Sequence, residues 1–427
     1  MNMPITVPRD MLGRGQVLSL AEAKSLLAFC LPPPSVAGES LALEEALGRI
    51  TMQEIAAPEH LPAAPRSIMD GYAVRARETF GATESLPAYL AVTGEVLMGE
   101  QPAHGPAEGA CFRIATGGLL PPATDAVVML EHTVQVDETM IEVVQPVAEG
   151  TNVIGVGEDV MKGTAVLPAG HRLRPQDLGL LAGLGIRQVP VRRRLHVGII
   201  STGDEIVPFD QTPPAGKIRD MNAVTLAAMV RELGGIPNYY GIVADDEEHF
   251  RAVAEASLAA NDLLIFSGSS SVGARDMGER VLDSLGEPGI IVHGVAIKPG
   301  KPVMIAMAYG KPLFGLPGHP VAAAVAFDLF VRLAMRHLGG GIADGLPEFR
   351  TLRARLMRNV NSAAGRRDFI RVQVQPASAV GEFAEAYPVL GKSGALSTMV
   401  RAHGYLILPE AQQGVRQGEL VDVHLFG

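Results

Sequence analysis

Between Leu195 and Leu338 the chain alternates short apolar runs with helical periods, and this alternation limits the folds open to it more than any other feature. His196–Ile200 is an apolar run ending at Ser201-Thr202-Gly203-Asp204-Glu205, and Asn222–Leu233 is a helical run stopped by Gly234-Gly235. Tyr239–Val243 reads as a second strand. Asp245 to Ala260 reads as a helix with Asp245 and Glu248 at capping-box spacing, and Asp262–Phe266 as a third strand. Strand, helix, strand, helix, strand predicts a doubly wound parallel sheet with right-handed crossovers.

The flanking segments have other textures. Leu18 to Ile55 reads helical, with Ser19 and Glu22 as a capping box, a break at Pro32-Pro33-Pro34, and a second amphipathic run through Leu41, Leu43, Ala46 and Leu47. From about Leu61 to Pro146, short apolar stretches (Tyr89–Val92, Ala126–Leu130, Met140–Val144) separated by Gly and Pro predict a small β lobe. Val153–Val191 mixes short strands with a helix opening at Pro175, and Arg192-Arg193-Arg194 marks a boundary. Beyond Gly339-Gly340-Gly341, Thr351–Leu356, Phe369–Val374, Tyr405–Leu408 and Leu420–Leu425 predict a small β barrel. The expected division is an N-terminal region 1–194 (helical lobe 18–60 with 147–191, inserted β lobe 61–146), an α/β domain 195–342, and a barrel domain 343–427.

Composition sets limits on partners. With 36 basic against 46 acidic residues, a formal charge of −10, no Trp and 5% aromatic residues, neither an electrostatic nor a stacking route to nucleic acid is present. Cys30 and Cys111 have no C-x-x-C spacing or adjacent His pair, so they suggest neither a zinc site nor a disulfide framework. The longest uninterrupted apolar or Gly stretch, Leu178–Ile186, is far short of the roughly 20 residues of a membrane span. The segment Met1–Gly15 lacks an apolar signal core, so the expected location is the cytoplasm.

In an open parallel sheet ligands bind outside the carboxyl ends of the strands. Five loops there are polar: Ser201–Glu205, Asp245-Asp246, Ser267–Gly273, Lys298-Pro299-Gly300-Lys301 and Gly315–Pro320. Taken singly, each is an ordinary turn, helix cap or solvated lysine; five on one edge point to a site. The Ser/Gly loop offers N–H groups and hydroxyls, and Lys298 and Lys301 add point charges, a set that suits phosphate. Glu205, Asp245 and Asp276 would repel phosphate unless a divalent cation lies between them, so the expected occupants are phosphate and magnesium. There is no Walker loop, and Gly183-Leu184-Gly185 lacks the third Gly of a dinucleotide fingerprint. His171, His293 and His319 show no His-x-x-x-His spacing and read as packed or surface histidines.

Ser67-Ile68-Met69-Asp70-Gly71-Tyr72-Ala73, Ser201–Glu205, Ser267-Gly268 with Ser271-Val272-Gly273, Lys298–Pro302 and Leu316-Pro317-Gly318 resemble, in order, the motifs of the molybdopterin molybdenumtransferases. This is the family of bacterial MoeA and the gephyrin E domain. The resemblance runs from about Leu18 to the C-terminus and includes Gly365–Phe369 and Ser393–Ser397. It implies a homodimer with sites shared between subunits; whether a separate molybdopterin adenylyltransferase docks on it is left open by the sequence. The implied reaction inserts molybdenum from molybdate into adenylylated molybdopterin, with release of AMP and participation of magnesium.

Carried over by position, Asp70, Asp159, Glu205 and Asp276 would be catalytic, with Glu205 and Asp245 near the metal. Thr116, Ser267, Gly268, Ser271, Gly273, Lys298, Lys301, Pro317, Gly318 and Ser393 would bind substrate. Three stretches depart from the pattern: Gly268-Ser269-Ser270 for Gly-Gly-Val, His319 and Ala322 within Pro317–Ala322 for the usual Asn and Ser, and Ile154-Gly155-Val156 in place of arginines. A non-catalytic cofactor-binding scaffold or carrier is the alternative reading, opposed by the retention of Glu205, Asp159 and Asp70 together. An amidase of the competence-damage type, built on the same α/β domain, is opposed by the flanking β lobes.

Overall fold

The computed structural model describes residues 17–34, 37–268, 272–341, 350–377 and 381–426, the side chains of 272–276 excepted. The chain forms two compact units, residues 39–191 and residues 192–427 together with the N-terminal segment up to Gly38.

The larger unit is built on a six-stranded sheet in the order Ile236–Val243, His196–Thr202, Leu263–Gly268, Lys311–Pro317, Met304–Ala308, Gly289–His293. Period-two alternation divides its side chains between two cores. Val197, Ile199, Leu263 and Ile265 join the helix Asn222–Glu232 and the helical run from Pro320 to Leu338 on one face. Ile200, Leu264 and Phe266 join the helices Glu247–Ala260 and Val272–Ser284 on the other.

The expected parallel sheet holds for the three strands read from the sequence, but one further strand departs from it. The first four strands in that order are parallel, but Met304–Ala308 runs antiparallel to both of its neighbours. Its link to Lys311–Pro317 is the two-residue turn Tyr309-Gly310, both residues left-handed at φ 52° and 71°, which makes a hairpin in place of a helical crossover. Gly289–His293 is thereby restored to the direction of the other four, so its carboxyl end opens on the same edge.

The N-terminal reading also changes. The helix is Leu20–Cys30, with Ser19 and Glu22 forming the expected capping box. Leu20, Ala23 and Leu27 are buried with Leu195, Val295 and Phe330, so this helix is part of the α/β core and not of a lobe with 147–191. The second helical run is a strand, Gly38–Ala42, followed by one 3-10 turn, Leu43–Glu45. Leu41 and Leu43, two apart, pack on the core around Leu173 and Leu181 while Leu47 stays exposed, the pattern of extended chain.

Past residue 350, the strands Arg350–Leu356, Arg367–Gln375, Ala384–Pro388, Gly404–Leu408 and Leu420–Leu425 pair in a ring that closes on itself around Leu356, Val372, Leu406 and Val423. Ile297-Lys298, in the loop after Gly289–His293, adds a parallel pairing to Arg367-Asp368 and brings that loop to the barrel.

The smaller unit carries a six-stranded sheet in the order Ala126–Met129, Gly71–Val74, Ala110–Ile114, Ala88–Val96, Met140–Val143, Thr133–Asp137. A Cβ at Gly71 would lie 1.9 Å from the Val128 carbonyl oxygen, so the Met-Asp-Gly-Tyr segment can enter this sheet only with glycine there.

Candidate functional site

Buried polar ties hold the carboxyl edge of the α/β sheet in shape. Asp220 accepts from Ser201 Oγ (2.5 Å), Tyr239 OH (2.9 Å) and the Ala223 N–H (3.0 Å), joining the end of the strand His196–Thr202 and the middle of its neighbour Ile236–Val243 to the start of a helix. The Asn222 amide donates to Ser267 Oγ (2.5 Å) and to the Gly318 carbonyl (2.9 Å), joining the third strand to the loop before Pro320. A Cβ on Gly268 would lie 2.6 Å from Thr202 Oγ1, so that glycine lets two strand ends approach closely.

At one end of this edge sits an acidic corner. Asp204 Oδ1 accepts the Asp245 N–H at 3.1 Å, and Lys217 Nζ donates to the Asp204 carbonyl. Gly203 has φ +137°, and a Cβ there would fall 2.6 Å from Glu205 Oε2, so the Glu205 carboxylate folds over bare backbone. Loss of water, then the like charges of Asp204 and Glu205, hold the Asp245 carboxyl above its usual range. The expected cap of the next helix is corrected: Asp246, not Asp245, caps it by accepting from the N–H groups of Glu248 and His249 (3.0 and 3.1 Å). The Asp245 side chain is therefore not spent on the helix. Among the described residues no three His, Cys, Asp or Glu side chains are grouped to hold a metal, so Glu205 and Asp245 offer only part of a coordination shell. That partial set fits magnesium, which ordinarily takes one or two carboxylates and completes its shell with water and phosphate oxygens.

At the other end a cleft of about 700 Å³ opens between the sheet edge and the barrel. Gly268, Lys298, Pro317, Gly318 and Ser393, all singled out in the sequence, line it. Ser267 lies behind it, bonded to Asn222. Lys301 follows Gly300 on the exposed side of the same loop as Lys298. Ser271 lies outside the described residues, and Gly273 and Asp276 are on the helix Val272–Ser284 with their side chains outside them.

The motif Gly365–Phe369 hinted at the barrel's contribution, but the individual residues were missed. Asp368 is buried and faces Lys298 Nζ at 3.4 Å and Arg366 Nε at 3.3 Å. Its Oδ1 has no hydrogen-bond partner among the described residues, and neither has Nε of Arg366 or Arg371. Arg371 donates to Thr398 Oγ1 (3.0 Å) and the Gly391 carbonyl (2.8 Å), and burial lowers its pKa. Arg358, Lys392 and His319 complete the ionisable lining. Nothing in local periodicity announces them; Asp368 is brought in by strand pairing across 70 residues of chain.

In the smaller unit, Asp70 Oδ1 accepts both the Thr116 N–H (2.7 Å) and the Thr116 hydroxyl (2.9 Å). These two bonds hold the Asp70 carboxyl below its ordinary range. Ser67 ties the motif down by donating to the Met69 carbonyl at 2.5 Å, while its own carbonyl accepts from the Gly117 N–H at 2.8 Å. Asp159 stands on the turn after Gly157, its N–H donating to the Leu61 carbonyl at 3.2 Å.

Family models match the chain along most of its length: the MoeA N-terminal region (domains I and II) over residues 18–185, a probable molybdopterin binding domain over 198–337, and the MoeA C-terminal region (domain IV) over 353–426. A putative molybdopterin biosynthesis protein of Methanocaldococcus jannaschii is 38% identical over 391 residues, 90% of each chain. The molybdopterin molybdenumtransferase of Haemophilus influenzae is 32% identical over 96% of this chain and 99% of its own. The crystal structure of a molybdopterin biosynthesis MoeA protein from Pyrococcus horikoshii OT3 covers 96% of this chain and 100% of its own with a TM-score of 0.82 at 31% identity. The chain belongs to the molybdopterin molybdenumtransferase (MoeA) family.

Proposed function

We propose that this chain works in molybdenum cofactor biosynthesis, inserting molybdenum from molybdate into adenylylated molybdopterin with release of AMP. The observation that carries the reading is the cleft: Lys298, Arg358, Arg371 and Lys392 line it together with one buried carboxylate, Asp368, beside hydroxyl and backbone donors at the carboxyl edge of the sheet. A cationic lining that includes a buried guanidinium, Arg371, whose Nε has no hydrogen-bond partner among the described residues, suits an oxyanion. In this reading Lys298 and Lys301 hold phosphate or molybdate oxygens, with Ser267, Gly268, Ser271, Gly273, Pro317, Gly318 and Ser393 shaping the pocket.

Glu205 and Asp245 would hold magnesium, which when bound would neutralise the acidic corner and draw charge from phosphate oxygens. Glu205 carries a carboxylate placed by an unobstructed Gly203, and Asp276, Asp70 and Asp159 are assigned to the same reaction by position in the family motifs. The same resemblance supports a homodimer whose sites draw on both subunits and action in the cytoplasm, and leaves docking of a separate adenylyltransferase open. No helix among the described residues is long and apolar enough to cross a membrane.

The test of the reading is anaerobic incubation of the protein with adenylylated molybdopterin and molybdate, followed by reconstitution of a cofactor-free molybdoenzyme. Activity in the recipient supports insertion; cofactor that stays metal-free overturns it. Mixing Asp70→Asn and Glu205→Gln proteins tests the shared site, since hybrid dimers would carry one intact set. If subunit exchange is demonstrated and no activity returns, the shared site is wrong.

A further inference from the structure

One ionisable side chain in the cleft has no part in the reading above. His319 stands where the strand Lys311–Pro317 turns into the helix opening at Pro320. Its Nδ1 lies 3.2 Å from Ser393 Oγ, and both residues line the cleft. The pair is held from both sides. The Val321 N–H donates to the Ser393 carbonyl at 3.1 Å, and the Asn222 amide donates to the Gly318 carbonyl at 2.9 Å. Across the ring, a Cβ added to Gly394 would come within 3.6 Å of His319 Cδ2, so the imidazole lies close against the backbone of the Ser393 loop.

The consequences follow from the donor inventory of imidazole. In the neutral ring with its proton on Nε2, the Nδ1 lone pair takes the Ser393 hydroxyl hydrogen, and Ser393 shows the cleft only lone pairs. In the imidazolium both nitrogens donate, so Nδ1–H points to Ser393 Oγ and the Ser393 hydrogen is free to turn toward a ligand. One proton thus adds a positive charge and converts Ser393 from an acceptor into a donor toward the cleft. A carboxamide at this position has no such change between pH 5 and 8.

The other charged groups lining the cleft are Lys298 on the adjoining loop, Arg358, Asp368 and Arg371 on the barrel, and Lys392 beside Ser393. Free lysine and arginine side chains ordinarily titrate well above this range. Asn222, packed behind Gly318, brings none.

We propose that His319 is a positioning residue that couples oxyanion capture in this cleft to uptake of a proton, making capture strongest on the acid side of neutrality. The proposal rests on the reading of the cleft as the molybdate site. Molybdate is the suitable probe because it stays a dianion through this range, whereas phosphate changes charge.

The experiment is calorimetric titration of the full chain with micromolar sodium molybdate at pH 6 and pH 8, in buffers of different ionisation enthalpy, for wild type and His319→Asn. Wild type should bind about tenfold more tightly at pH 6 and take up a proton on binding, while His319→Asn should bind equally at both pH values. Independently of any variant, the His319 ring resonances of the wild-type protein should titrate at higher pH with molybdate bound than without it. A wild-type affinity flat in pH, or a pH slope that survives in His319→Asn, overturns the proposal and leaves the site reading standing. Failure of wild type to bind molybdate at either pH overturns both.

Discussion

Lys298 Nζ lies 3.4 Å from Asp368 Oδ2, with the ammonium half exposed and the carboxylate almost fully buried. The contact exists because Ile297-Lys298 pairs in parallel with Arg367-Asp368, so one two-residue strand presents a sheet-edge lysine to a barrel carboxylate. An entering oxyanion meets a lysine that is already positioned and whose exposed side faces the cleft. Lys298→Ala should therefore weaken molybdate binding by the worth of a charged hydrogen bond, about 1.5–3 kcal/mol, and Lys301→Ala should weaken binding of the adenylylated pterin by a similar amount. Calorimetry checks both, and unchanged affinity would contradict the assignment of these lysines.

Asp70 is held by two bonds from Thr116, and an asparagine oxygen can accept both. Asp70→Asn should therefore keep the loop in place and shift Tm by no more than about 2 °C while removing the charge. If that charge serves the reaction, cofactor insertion falls sharply with stability intact. An Asp70→Asn protein that is stable and fully active would place the residue among purely structural ones.

Asp245 is held above its ordinary pKa by loss of water and by Asp204 and Glu205. A raised carboxyl costs the folded state once it ionises, so the penalty is absent below the carboxylate range and present above it. Asp245→Asn should accordingly raise the Tm of the metal-free protein at neutral pH, with the gain vanishing as the pH falls into the acid range. Added magnesium should raise the Tm of wild type more than that of the variant. Thermal unfolding at pH 4 and pH 7, with magnesium and with chelator, checks both signs.

Gly203 has φ +137° and sits under the Glu205 carboxylate, where a Cβ would fall 2.6 Å from Oε2. Gly203→Ala should displace that carboxylate and strain the turn, costing about 1–3 kcal/mol of stability. Insertion activity should fall further than Tm alone accounts for. Chemical unfolding together with activity at a temperature well below Tm separates the two effects.

The central strands were readable because short continuous apolar runs bounded by Gly and Asp are local signals, and the polar loops at their ends came with them. The antiparallel strand Met304–Ala308 was not, because its direction is decided by the left-handed pair Tyr309-Gly310 and its residues look like any buried strand. Leu20–Cys30 was readable as a helix but not as part of the α/β core, since its partners Leu195, Val295 and Phe330 are remote in sequence. Asp368 and Arg371 escaped for the same reason: their barrel strand is brought to the cleft by contacts remote in sequence, among them the pairing at Ile297-Lys298. Asp245 was misread as a helix cap because Glu248 stands three residues after it, whereas the backbone places Asp246 at the cap, where its side chain accepts the Glu248 and His249 N–H groups.

The measurement that tests the account most directly is AMP release from adenylylated molybdopterin in the presence of molybdate, in wild type and Glu205→Gln, with magnesium and with chelator. Glu205→Gln keeps the shape of the side chain over Gly203 and removes its charge. The account predicts release by wild type that depends on magnesium and is lost in Glu205→Gln, while the variant still binds the pterin. Release indifferent to chelator, or a Glu205→Gln protein that releases AMP at the wild-type rate, would contradict it; a wild-type protein that binds the adenylate and never cleaves it would be a carrier.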